Sequence, residues 1–96
     1  MIVSFGDKTT LDIFHGHDTK AARRIMQPLW KRIQAKLDLL NASINLEDLR
    51  VPPSNHLEKL RGNLAGLYSV RINDQYRLVF RFMNGHASDV RCTDYH

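Results

Sequence analysis

The sequence predicts a single α+β domain over residues 1–96, with N-terminal helices packed on one face of a small twisted antiparallel sheet. Three observations predict this. Apolar residues recur at helical steps between Trp30 and Leu40. They alternate at period two from Leu67 to the end of the chain. Between the two regimes stands Pro52-Pro53, which stops any helix.

The elements follow in chain order. "MIVSF" at residues 1–5 has no basic lead and reads as a first strand, not as a signal peptide. Asp7 or Thr9 suits the cap of a short helix carrying Leu11 and Phe14. Gly16 breaks it, and Asp18 is a second possible cap. Pro28 fits a first helical position. After it Trp30, Ile33, Leu37 and Leu40 form one stripe, with Lys31, Arg32, Lys36 and Asp38 falling elsewhere. Asn45 and Asp48 resemble a helix-start box for one more turn through Leu49. A short strand is expected from about Asn55 to Leu60.

Three longer strands come next. "LYSVRI" sets Tyr68, Val70 and Ile72 against Ser69 and Arg71. "QYRLVFRF" sets Tyr76, Leu78, Phe80 and Phe82 against Arg77, Val79 and Arg81. "ASDVRCTDY" sets Val90 and Cys92 against Asp89, Arg91, Thr93 and Tyr95. Asn73-Asp74 and Asn84-Gly85 are turn signals between them. The apolar faces must pack on the long helix. Arg71, Arg77, Arg81, Arg91 and Tyr95 are then expected on the opposite, open face. Like charges side by side across strands are destabilising unless an anion offsets them, and phosphate is the natural candidate.

Composition agrees. Hydrophobic content of 43% and charged content of 25% are those of a globular chain. No apolar run approaches a membrane span. The single cysteine, Cys92, permits no internal disulfide and fits a reducing cytoplasm. Its place in the alternation makes it a small buried apolar residue, not a nucleophile. Net charge is +4, and residues 50–96 hold seven Lys/Arg against four Asp/Glu, six of the seven being arginine. Arginine is the side chain best shaped to grip phosphate. His15-Gly16-His17-Asp18 lacks the ligand set of a zinc site, and no metal or other cofactor is expected.

With those residues in place, the chain resembles the RelE/ParE superfamily of bacterial toxins, and within it the HigB type. The resemblance is carried by "MIVSF", by "LRVPPSNHLEKLRGNLAGLYSVRINDQYRLVFRF" at Leu49–Phe82, and by the final "DYH". It implies a toxin of a type II toxin–antitoxin system: a ribosome-dependent, metal-independent endonuclease that cuts translated mRNA in the decoding site and inhibits translation. It also implies a cognate HigA-like helix-turn-helix antitoxin.

Metal-free RNA cleavage needs a base for the ribose 2′-hydroxyl, fixed positive charge for the transition state, and an acid for the departing 5′-oxygen. By resemblance His56 and His96 are the proton-transfer candidates; which is acid and which is base stays open. Arg71, Arg77 and Lys59 are candidates for phosphate contact. Asp94 can orient a histidine or an arginine, and Tyr95 can stack on a base or bond a phosphate. Arg61, before the Gly62–Gly66 turn, can swing over the substrate, and Arg81 and Arg91 are expected to contact RNA. Two rivals remain: a ParE-like gyrase inhibitor without RNase chemistry, which needs none of the His56/Asp94/Tyr95/His96 set, and a general basic RNA-binding domain, which should show more aromatic residues on the open face.

Overall fold

The structure, a computed structural model, describes residues 1–64 and 66–95; Ala65 and His96 lie outside it. Helix α1 spans Lys8–Phe14 and α2 spans Trp30–Ala42. Four strands follow: β1 (Glu58–Lys59), β2 (Leu67–Arg71), β3 (Tyr76–Met83) and β4 (His86–Asp94). They form one antiparallel sheet in the order β1-β2-β3-β4. This is the expected α+β architecture. Among the described residues, no helix is long and apolar enough to cross a membrane.

Asp7, not Thr9, caps α1: its Oδ1 accepts from the Thr10 amide at 2.8 Å. Thr9 instead donates its hydroxyl to the Ala21 carbonyl. Asp18 caps nothing and pairs with Arg23 at 2.7 Å. Pro28 sits in a 3-10 turn, Gln27–Leu29, that leads into α2. Asp48 accepts from the amides of Ile44 and Asn45, opening the 3-10 segment Leu46–Arg50.

The core is the α2 stripe against the inner face of the sheet. Ile33, Leu37 and Leu40 are fully buried and meet Val70, Leu78, Phe80 and Val90. Trp30 closes one end, its indole N–H donating to the Ile25 carbonyl at 2.9 Å. Asp12 ties α1 to the segment before α2. Its buried carboxylate accepts from Lys8 Nζ and from the Thr19 hydroxyl, both at 2.6 Å.

Three expectations are corrected. The N-terminal strand is reduced to two isolated parallel bridges, Ile2 with Ala87 and Phe5 with Val90. The strand expected over Asn55–Leu60 shrinks to Glu58–Lys59, because Asn55 ends a 3-10 turn and His56 is left-handed. The alternation in β4 is also interrupted. Ala87 and Val90 are both fully buried although three residues apart. A bulge absorbs the extra residue, with Asp89 at φ 53° and the register shifting between Val79 and Arg81.

Two outcomes follow. Leu37→Ala is expected to lower unfolding stability by about 2–5 kcal/mol in a denaturant titration. Hydrogen bonds to Lys8 and Thr19 hold Asp12 below its ordinary pKa of 3.8, and bonds to Arg23 and to the Asn45 and Ile44 amides do the same for Asp18 and Asp48. Their folded values lie below their unfolded ones. Their contribution is therefore present above about pH 4 and is lost as pH falls through the folded values. Asp12→Asn should flatten the acid side of a stability-versus-pH curve.

Candidate RNA-binding face and active site

The register puts Leu67, Ser69 and Arg71 of β2, Arg77, Val79 and Arg81 of β3, and Arg91 and Thr93 of β4 on the face away from the helices. The four arginines do share that face, as alternation predicts. Their guanidinium groups do not converge on one point, and they divide into three settings.

The first is a cleft of about 230 Å3 at the β3–β4 side. Arg81, Arg91, Thr93 and Tyr95 line it, over the apolar floor of Leu67 and Val79. The bulge supplies the one carboxylate among its described lining residues, Asp89, whose Oδ2 lies 3.4 Å from Arg81 Nε. Arg91 reaches toward the N-terminal segment: a Cβ on Gly6 would meet its Nε at 2.6 Å. Any side chain at residue 6 would displace Arg91. Tyr95 is held by its own amide, which donates to the Gln75 carbonyl at 2.5 Å.

The second setting is the Arg77–His56 tether. Arg77 is mostly buried, with its side chain 12% exposed. Its Nε donates to Ser69 Oγ at 2.8 Å, and its Nη2 donates to the His56 carbonyl. Glu58 Oε1 stands 3.9 Å from the same Nη2. His56 follows the 3-10 turn Pro53–Asn55 at φ 42°, ψ 58°, a left-handed conformation uncommon outside glycine. Its amide donates to the Pro53 carbonyl at 3.0 Å. Backbone bonds on both sides thus hold a conformation that leaves the His56 side chain exposed. Ser69, fully buried on the open face, is the partner that sequence reasoning missed. Its only signal was a small hydroxyl residue two positions before Arg71.

Arg71 occupies the third setting, at the end of β2. It pairs with Asp74 and turns toward Arg32 and Lys36 of α2.

The remaining candidates spread out. Lys59 pairs with Tyr68, whose side chain points to the helices, so it lies on the other side of the sheet from Arg77. Glu58, opposite Ser69, takes the open-face position instead. Arg61 is exposed, ahead of the 3-10 turn Gly62–Leu64. Asp94 pairs with Tyr76 in the register and accepts from Gln75 Nε2 at 3.1 Å. Burial, and then the Asp94 charge, raise the Tyr76 phenol above its usual pKa. Asp94 and Tyr95 thus leave opposite sides of the chain. His96 lies outside the described residues.

Away from this face, the His15 and His17 rings lie 5.7 Å apart, and His15 packs edge-on to Phe14. Burial, and then the charges of Asp7 and Asp94, push the Cys92 thiol up to about 12. That fits a packing residue.

Cys92 is expected to resist alkylation at pH 8 in the native protein and to react once it is unfolded, as a thiol-quantitation assay would read. Arg77→Ala should destabilise by about 1–3 kcal/mol, because it strips a donor from Ser69 and from the His56 carbonyl. Denaturant unfolding checks that value.

Comparison with known proteins agrees with this architecture. A family described as "RelE-like toxin of type II toxin-antitoxin system HigB" matches residues 3–96. The chain is 41% identical to Toxin HigB-1 of Vibrio cholerae serotype O1 over 87 residues, covering 91% of this chain and 90% of that protein. Among solved structures it is similar to a YoeB–YefM complex from Staphylococcus aureus, with TM-score 0.62, 22% identity, and coverage of 100% of this chain and 98% of that one. It is also similar to a YoeB/ParE toxin from Agrobacterium tumefaciens, with TM-score 0.57, 17% identity, and coverage of 99% and 98%. At such identities the structural likeness speaks for the fold. The sequence matches, spanning nearly the whole chain, place this protein in the HigB-like family of RelE-type toxins of type II toxin–antitoxin systems.

Proposed function

We propose that this toxin is an endoribonuclease that cuts translated messenger RNA in the ribosomal decoding site, acts in the cytoplasm without a metal, and is silenced by a HigA-like helix-turn-helix antitoxin. The observation that carries the reading is the open face itself. It joins a cleft lined by Arg81, Arg91 and Tyr95 to a strained turn presenting His56.

The chemistry runs as follows. A base takes the ribose 2′-proton, and the 2′-oxygen attacks the neighbouring phosphorus. The bond from phosphorus to the 5′-oxygen breaks, leaving a 2′,3′-cyclic phosphate, and an acid protonates the departing oxygen. His56 and His96 are the two proton-transfer groups, imidazole being the side chain suited to either role in metal-free RNA cleavage. Arg81 and Arg91 hold phosphate charge, and the Tyr95 ring offers a stacking surface for a base beside them. Arg77 is a positioning residue that acts through the His56 backbone. Arg61, exposed ahead of the Gly62–Leu64 turn, adds a further cation for RNA. Asp94, bonded to Gln75, steadies the strand end that delivers Tyr95. An antitoxin partner is supported by the likeness to the heterotetrameric YoeB–YefM toxin–antitoxin complex of Staphylococcus aureus.

The test is to map message 5′-ends after brief induction. Wild type should produce cuts within translated messages. His96→Gln or His56→Gln should lower single-turnover cleavage on programmed ribosomes by about 10²–10⁴-fold while the fold is kept. Stripping transition metals from the toxin beforehand, with the ribosomes' magnesium kept, should leave the rate unchanged. Inhibition of DNA gyrase without message cuts would replace this reading with the ParE-like one.

A further inference from the structure

A second cavity, of about 170 Å3, lies at the end of β2 where α2 and the Pro53–Asn55 turn meet it. Arg32, Lys36, Ser54, Arg71 and Ile72 line it. Arg32 and Lys36 stand one helical turn apart on α2, so their heads fall on the same side. Arg32 Nη1 donates to the Ile72 carbonyl at 3.4 Å. Lys36 Nζ donates to Asn55 Oδ1, and the buried Asn55 amide is in turn fixed by the Leu49 and Val51 carbonyls at 3.1 and 3.3 Å. The lysine head is therefore held in place.

Three cations and a hydroxyl thus face one small space. No carboxylate is among the lining residues. The carboxylate nearby is Asp74, which pairs with Arg71 but is itself 99% exposed and weakly worth keeping in place. Burial, and then the Arg32 charge, lower the pKa of Lys36. The cluster therefore carries a like-charge cost in the free protein. Guanidinium, ammonium and hydroxyl together form the donor set that binds a phosphate monoanion or phosphodiester.

Its position says which phosphate. Arg71 stands directly opposite Arg77 in the register, and Arg77 holds His56. Ser54 precedes His56 by two residues. The cavity therefore flanks the His56 turn, on the side away from the Arg81–Arg91 cleft. We propose that the Arg32–Lys36–Ser54–Arg71 cavity is a phosphate subsite that holds a backbone phosphodiester of the RNA strand, next to the linkage being cut. This rests on the ribonuclease reading above. It would fix the register of the strand without reading a base.

Two measurements test it. Inorganic phosphate is titrated into the isotope-labelled toxin while the arginine Nε–H resonances are followed. Those of Arg32 and Arg71 should shift saturably in the wild type, and that of Arg71 should stay still in the Arg32→Gln/Lys36→Gln double variant. Glutamine at residue 36 keeps a donor within the side chain's reach of Asn55. Ser54→Asp, which adds a carboxylate and leaves all three cations, should also abolish the shift. Binding of a short single-stranded RNA is then measured between 50 and 200 mM salt. The double variant should bind more weakly, with the slope of log K against log salt smaller by about 0.7 for one lost phosphate contact.

Unmoved resonances in the wild type would overturn the subsite. So would a wild-type salt slope in the double variant, since the cavity would then hold some other anion. Neither readout depends on cleavage. If ribosomes yield no cuts, the nuclease reading falls by itself. If cuts appear but phosphate moves nothing, the subsite falls alone.

Discussion

Two helices cover one face of one sheet, and that constraint organises the molecule. The Trp30–Leu40 stripe removes the inner side chains of β2, β3 and β4 from water. Every residue between them must then point the other way. Arginines at residues 77, 81 and 91 are brought to the open face by the burial of Leu78, Phe80, Val90 and their neighbours, and not by any attraction for one another. Hydrophobic burial, about 25 cal/mol per Å2 of apolar surface, is the one term large enough to hold like charges on a common surface in the absence of an anion. The arginine face is thus the outward image of the core.

The protein eases that repulsion by giving each guanidinium separate work. Arg77 lies flat over Ser69 and closes the His56 turn, Arg71 leans toward Asp74, Arg81 meets Asp89, and Arg91 covers Gly6. The result is a surface with cations at intervals along it, not a single concentrated pocket. An extended polyanion with repeated charges fits such spacing better than a compact one does.

Much of the fold was legible in the sequence because period two and period 3.6 are hard to confuse over long segments. The α2 stripe, the three long strands and the shared arginine face all follow from that. What escaped was local. The bulge at Asp89 escaped because Ser88, Asp89 and Val90 read as ordinary alternation until Ala87 must also be buried. The side of the sheet that Lys59 takes was not legible either: a two-residue strand has too few positions to announce its phase. The Arg77–Ser69–His56 tether is a three-body contact between segments 8 to 21 residues apart, and no spacing rule encodes it. His56 itself was found by resemblance; its left-handed backbone, which explains why a histidine stands clear of the chain there, was not visible in residue types alone.

The Arg81–Asp89 pair has a further consequence. An incoming phosphate cannot treat that guanidinium as vacant, because a carboxylate already sits 3.4 Å away. What the ligand gains is the difference between two ionic contacts, a much smaller quantity than either. Indiscriminate adhesion to any polyanion is thereby muted. Discrimination passes to contour, to whatever chain can thread the floor of Leu67 and Val79 while displacing an acid that the kinked strand has placed at its threshold.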